Sequence, residues 1–127
     1  MTRNIVRTSA APPPVGPYSQ GIISGNLLFV AGQGPFDPRT DKVIAGDIES
    51  QTRQTLENLK AVVEASGLTL RDVVTVNVFL KNPDDFGKMN EVYKTFFVEK
   101  PPTRTTVAVN FVVPGMLIEA NAIACRE

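Results

Sequence analysis

Arg104 and Glu119 are the two residues in this sequence whose type and setting point most directly to chemistry. Each interrupts a run with strand character: Pro101-Pro102-Thr103-Arg104-Thr105-Thr106-Val107-Ala108-Val109 and Leu117-Ile118-Glu119-Ala120-Asn121-Ala122. Alternation puts Arg104, Thr106, Ala108 and Asn110 on one side of the first strand and Thr105, Val107, Val109 and Phe111 on the other. Val113-Pro114-Gly115 reads as a turn that brings Glu119 back alongside. A guanidinium is a fixed two-donor fork matched to a carboxylate, and a glutamate accepts a proton or orients water. Together they suggest a site for a small carboxylate-bearing substrate. Taken alone, an Arg and a Glu on two solvated strand faces need carry no chemistry, so the rest of the chain has to decide.

Composition removes several alternatives. The chain has 127 residues, enough for a single domain over 1–127 with one core. Its 13 basic and 13 acidic residues cancel, and no Lys/Arg stripe forms, so nucleic acid is not an expected partner. Histidine is absent and Cys125 is the only cysteine, which leaves no zinc set, no Ser-His-Asp or Cys-His triad and no internal disulfide. No metal and no cofactor is expected, and proton transfer falls to Glu, Asp, Lys, Tyr or the backbone. Met1-Thr2-Arg3-Asn4 lacks the apolar run of a signal peptide, and Leu27 to Ala31 is far too short to span a bilayer. A cytoplasmic protein without a membrane partner is expected.

The elements that must position Arg104 and Glu119 follow in order. Ile5-Val6 predicts a short strand, after which Ala10-Ala11-Pro12-Pro13-Pro14 enforces an extended approach to Gly16-Pro17-Tyr18 and holds that ring in a defined place. Gly25-Asn26 predicts a hairpin turn into Leu27 to Gln33, a strand apolar on both faces whose Gly32 leaves backbone groups reachable. Asp37 to Asp41 reads as a polar turn. Gly46-Asp47 caps a helix with Ile48, Thr52, Leu56, Leu59, Val62 and Val63 on its buried face, closed by Gly67. Val73 to Leu80 predicts a strand covered on both sides. A second helix starts near Pro83-Asp84-Asp85, with Phe86, Met89, Tyr93 and Phe96/Phe97 buried and Asn90 beside that stripe. The order is ββ-α-β-α-ββ, an α+β arrangement of two helices on one face of a mixed sheet. Its other apolar face calls for cover, most economically from another copy of the chain.

Gly16-Pro17-Tyr18-Ser19-Gln20, Gly25-Asn26-Leu27-Leu28-Phe29 to Gly32-Gln33, Gly46-Asp47-Ile48 with Gln51-Thr52, Asn58-Leu59-Lys60, Asn90-Glu91-Val92-Tyr93, Pro102-Thr103-Arg104 and Ile118-Glu119 to Ala122-Ile123-Ala124 together resemble the RidA/YjgF family over nearly the whole chain. The resemblance implies a chorismate-mutase-like α+β fold, a homotrimer with sheets facing inward, and sites between subunits. It also implies hydrolysis of 2-iminobutanoate and 2-iminopropanoate to 2-keto acids and ammonia. Arg104 would hold the substrate carboxylate, Glu119 would activate water, and Tyr18, Ala31, Gly32, Asn90 and Thr106 would line the site. Ala31 stands where many members carry Ser, Thr105 where Ser or Ala is commoner, and Ala120-Asn121 where Ile-Glu or Met-Glu is usual.

This reaction suits a chain without histidine. The imine of a 2-keto acid is largely protonated near neutral pH and already electrophilic, so positioned water can attack it without a metal or covalent nucleophile. Two other readings compete: a trimeric small-molecule binder or chaperone-like protein using the same clefts, and an endoribonuclease or translation inhibitor. Glu119 argues against the first, since a pure carboxylate binder gains nothing from an anion beside its ligand. Charge neutrality and the missing histidine argue against the second.

Overall fold

The computed structural model describes residues 3–127; Met1 and Thr2, which open the polar N-terminal run noted above, lie outside them. The strands are β1 Arg3–Val6, β2 Gly21–Ser24, β3 Leu27–Gln33, β4 Phe36–Asp37, β5 Lys42–Val43, β6 Val73–Leu80, β7 Thr103–Ala108 and β8 Ile118–Cys125; the helices are α1 Ile48–Ala65 and α2 Phe86–Phe96. The Asp47 carboxylate accepts the Ser50 N–H at 2.9 Å, satisfying one of the unpaired donors that open any helix, and α1 begins there as the sequence predicts. It ends at Ala65, and two residues on Gly67 turns the chain away with a φ of 91°, a left-handed value that glycine adopts without strain. One 3₁₀ turn, Pro83–Asp85, leads into α2.

Six strands form one mixed sheet in the order β1-β2-β3-β8-β6-β7. Among the described strands only the β6–β7 pair is parallel, because α2 lies between these strands in sequence and a helical crossover returns the chain in the same direction. Leu28, Val30, Val76, Val78, Ile118 and Ala120 belong to one buried cluster with Leu56, Leu59 and Val63 of α1 and Met89 and Tyr93 of α2, so both helices cover one sheet face. The opposite face keeps Leu27, Phe29 and Val107 exposed at 38%, 42% and 44%.

Four expectations change. Phe86, expected in the buried stripe of α2, is 45% exposed at the first turn of that helix, whereas Met89, Tyr93 and Phe97 are buried as expected. Gly21–Ser24 is a strand in its own right, and the polar turn at Asp37 to Asp41 sits at the tip of a small β4–β5 hairpin. Strand β6 is covered on one face only in this chain; its other face carries Asn77, which is exposed, and Phe79. Most consequential, Glu119 does not return alongside Arg104. Strand β8 pairs with β3 and β6, while β7 forms the sheet edge on the far side of β6. The chain does turn at Pro114-Gly115, but sequence proximity mistakes a connection across the sheet for a hairpin.

Candidate active site

The register separates Arg104 from Glu119 twice. Arg104 is opposite Val76 and Glu119 opposite Phe79 on the shared neighbour β6. Positions three apart on a strand point to opposite faces, so Arg104 lies on the helix side of the sheet and Glu119 on the open side.

On the helix side, Phe86, Asn90 and Tyr93 recur at i, i+4 and i+7 along α2, which aligns them on the face toward β7. The Arg104 guanidinium carbon lies 4.7 Å from the Tyr93 ring centroid and 5.4 Å from that of Phe86. None of the ion pairs among the described residues involves Arg104. Thr106, two residues on, shares its face. Asn90 Oδ1, the Tyr93 hydroxyl and Thr106 Oγ1 are all buried without a hydrogen-bond partner among the described residues. Such groups are uncommon, and each costs about 1–3 kcal/mol where it stays unmet. These three belong to the two elements, α2 and β7, that also carry Arg104 and its ring contacts. Burial pushes the Tyr93 hydroxyl up to about 12, with Arg104 pulling the other way, so the ring is neutral across the working pH range.

On the open side, the β3–β8 ladder runs from Val30↔Ala122 to Gln33↔Ala120, leaving one extra residue on β3. This bulge falls at Ala31-Gly32 and re-aims the strand, as bulges do. It brings the Gly32 backbone against the Glu119 carboxylate, so close that a Cβ at Gly32 would lie 2.5 Å from Oε2. Glu119 is half-buried, and desolvation raises its pKa above the ordinary glutamate range. It lines a cavity of about 280 Å³ with Phe79, Val109, Phe111, Val113 and Met116. Tyr18 lines one hollow with Gly32 and another with Ala31. The Tyr18 hydroxyl accepts the Val15 N–H at 3.3 Å, and Gln20 ties the proline segment down by donating to the Pro12 carbonyl at 2.9 Å and accepting the Thr8 N–H at 2.8 Å.

The expected site residues therefore fall into two groups: Asn90, Arg104 and Thr106 on one face, and Tyr18, Ala31, Gly32 and Glu119 around the bulge. Nothing within one chain brings the groups together. Tyr93 reads in the sequence as a core residue and proves to be the plate beneath Arg104 as well. The buried polar residues of α1 have a role that the sequence does not show. Gln51 donates to Gly115 O at 2.9 Å and accepts the Leu117 N–H at 2.8 Å, while Asn58 donates to Gly34 O and Phe36 O at 2.9 and 2.8 Å. These bonds fix the approach to β8 and the link from β3 to β4. The visible signal is polar side chains sharing the helix face of Leu56 and Leu59. No cluster of three or more potential metal ligands occurs among the described residues, and none of their helices is long and apolar enough to cross a membrane.

Residues 8–126 match the family described as Endoribonuclease L-PSP. A RutC family protein of Pyrococcus horikoshii is 51% identical, covering 98% of this chain and 99% of its own length. A protein of Dermatophagoides farinae named 2-iminobutanoate/2-iminopropanoate deaminase is 40% identical over 98% of both chains. Among solved structures, Escherichia coli TdcF with bound serine superposes with a TM-score of 0.93 at 41% identity, covering 98% of this chain and 99% of that one.

Proposed function

The chain belongs to the Endoribonuclease L-PSP family, also called YjgF/RidA, and from that premise we propose that it hydrolyses 2-imino acids to 2-keto acids and ammonia at sites completed between copies of the chain. The observation that carries this reading is the placement of an unpaired Arg104 and a half-buried Glu119 on opposite faces of one sheet. Two copies, one offering its β7 edge and the other its open face, bring a carboxylate holder to a proton acceptor. The exposed Leu27, Phe29 and Val107 supply apolar area for that contact, and a closed ring of three satisfies every copy equally.

The chemistry balances with these residues alone. Arg104 holds the substrate carboxylate through its planar fork. Asn90 Oδ1, buried and unpartnered, accepts an iminium N–H. Glu119 takes a proton from water as the water oxygen bonds to the imine carbon, giving a neutral carbinolamine. The protonated Glu119 delivers that proton to the amine nitrogen. As the C–N bond breaks, the carbinol O–H proton returns to Glu119 and passes to the departing ammonia, leaving keto acid and ammonium. A carboxyl whose proton affinity is raised by a partly dry setting suits both transfers.

The description of the family also names ribonuclease activity. Zero net charge and no histidine favour the imine reading over RNA cleavage. The test is to generate 2-iminopropanoate in situ with an amino-acid oxidase and follow its decay with and without the protein. Acceleration is expected, lost in Glu119→Gln on the order of a hundredfold for removal of a general base. Arg104→Lys is expected to weaken pyruvate binding as well as turnover, because an ammonium lacks the fork. Imine decay unchanged by the wild-type protein would refute the proposal.

A further inference from the structure

Arg104 is held in an unusual way for a half-exposed cation. It has no carboxylate partner among the described residues, so none of its five N–H donors is engaged by an anion of the chain. What it touches instead are ring faces. The Tyr93 ring lies 4.7 Å away and the Phe86 ring 5.4 Å away, both within cation–π range. Tyr93 is fixed in turn, buried in the core with its ring centroid 4.7 Å from that of Phe97 at an interplanar angle of 32°. Phe86 is 45% exposed, a conspicuous place for an aromatic side chain with no other task.

Stacking and salt bridging use different parts of a guanidinium. A carboxylate partner takes the in-plane N–H groups, whereas a ring takes the π face and leaves those groups free. An arginine anchored by rings is thus fixed in direction while its hydrogen-bonding capacity is unspent. We infer that Tyr93 and Phe86 are positioning residues, a two-ring platform that holds the Arg104 fork ready for the carboxylate of the ligand. The inference rests on the reading of Arg104 as the carboxylate holder given above, and adds what makes that residue selective for anions over internal partners. Tyr93 acts through its ring face. Its hydroxyl has no hydrogen-bond partner among the described residues, so removing it disconnects nothing there.

The test is pyruvate binding by calorimetry, alongside KM and kcat for imine decay, on the assembled wild-type protein and on Tyr93→Phe, Tyr93→Leu and Phe86→Ala. Tyr93→Phe keeps the ring and is expected to bind within about threefold of wild type, whereas Tyr93→Leu weakens pyruvate binding about two- to thirtyfold, the range of a lost cation–π contact. KM rises by the same factor while kcat stays nearly constant, the pattern of an interaction made equally in ground and transition states. Phe86→Ala, at an exposed position, shows the same split without a drop in thermal stability, and decides the matter alone if Tyr93→Leu does not fold. Wild-type pyruvate affinity in folded Phe86→Ala and Tyr93→Leu overturns the platform and leaves the hydrolysis reading standing. The expected ranking of affinities with no imine hydrolysis leaves the platform standing and removes the reaction. A wild-type protein that binds no keto acid overturns both.

Discussion

A Cβ atom at Gly32 would lie 2.5 Å from Oε2 of Glu119 and 3.0 Å from its Cδ. Real Cβ atoms do not approach oxygen that closely, so the carboxylate occupies space that exists only because position 32 has no side chain. The bulge between Val30 and Gln33 provides the close approach, and glycine tolerates it.

Gly32→Ala is therefore expected to displace the Glu119 carboxylate while leaving the fold in place. Misplacement of a reacting group by about an ångström costs on the order of a hundredfold in rate. Steady-state imine hydrolysis and pyruvate binding measured together check this: kcat falls, and binding at Arg104, on the other sheet face, changes far less. Full activity in Gly32→Ala would mean that the Glu119 carboxylate need not sit where the structure places it.

Asn58 is buried on α1 and donates to two carbonyls, Gly34 O and Phe36 O, in the link from β3 to β4. Asn58→Leu leaves both carbonyls without that donor, the one to Gly34 in a buried setting and the one to Phe36 in a part-buried one, at a cost of about 1–3 kcal/mol for a fully buried unmet group. Chemical denaturation should show the loss as a lower midpoint with an unchanged slope. A midpoint equal to wild type would show that these carbonyls find other partners.

Burial alone holds the pKa of Glu119 above the ordinary glutamate value. The folded state then binds more protons than the unfolded state between the ordinary and the raised value, so this group's contribution is fully present below that window and is lost as pH rises through it. Glu119→Gln does not titrate and escapes the loss. The stability of the variant relative to wild type should be level at low pH and grow as pH rises through the window, which thermal unfolding over a pH series reads directly. A difference of the opposite sign would mean that in the assembled protein a cation, such as the Arg104 that the proposed assembly brings from another copy, outweighs the burial seen within one chain.

Much of this was legible in the sequence, and the failures have identifiable causes. Asp47, the Ile48 to Val63 periodicity and Gly67 define α1 because capping, amphipathic spacing and left-handed closure are local. The alternation of Arg104 and Thr106 with Thr105 and Val107 also survives, since strand parity is a local property. Which strands become neighbours is not local. β7 and β8 are adjacent in sequence, yet the α2 crossover seats β7 beside β6 and sends β8 to the far side of β6. Arg104 and Glu119 were each recognisable, but their separation depends on that order. The burial of Tyr93 is legible in the sequence but its place under Arg104 is not, because a ring buried on one side and stacked under a cation on the other has the same periodicity as any core residue.

The central claim is that Arg104 of one copy works with Glu119 of another, because in a single chain β6 and the sheet itself lie between them. Mixing Arg104→Lys with Glu119→Gln tests it most directly. Each variant is expected to be nearly inactive alone. After equal amounts are dissociated in mild denaturant and reassembled together, random pairing leaves about a quarter of the inter-copy sites with both native residues, and imine hydrolysis should return to about that fraction of wild type. Activity in the mixture no greater than the average of the two variants, with exchange of copies confirmed by mass, would contradict the account and place the reaction within one chain.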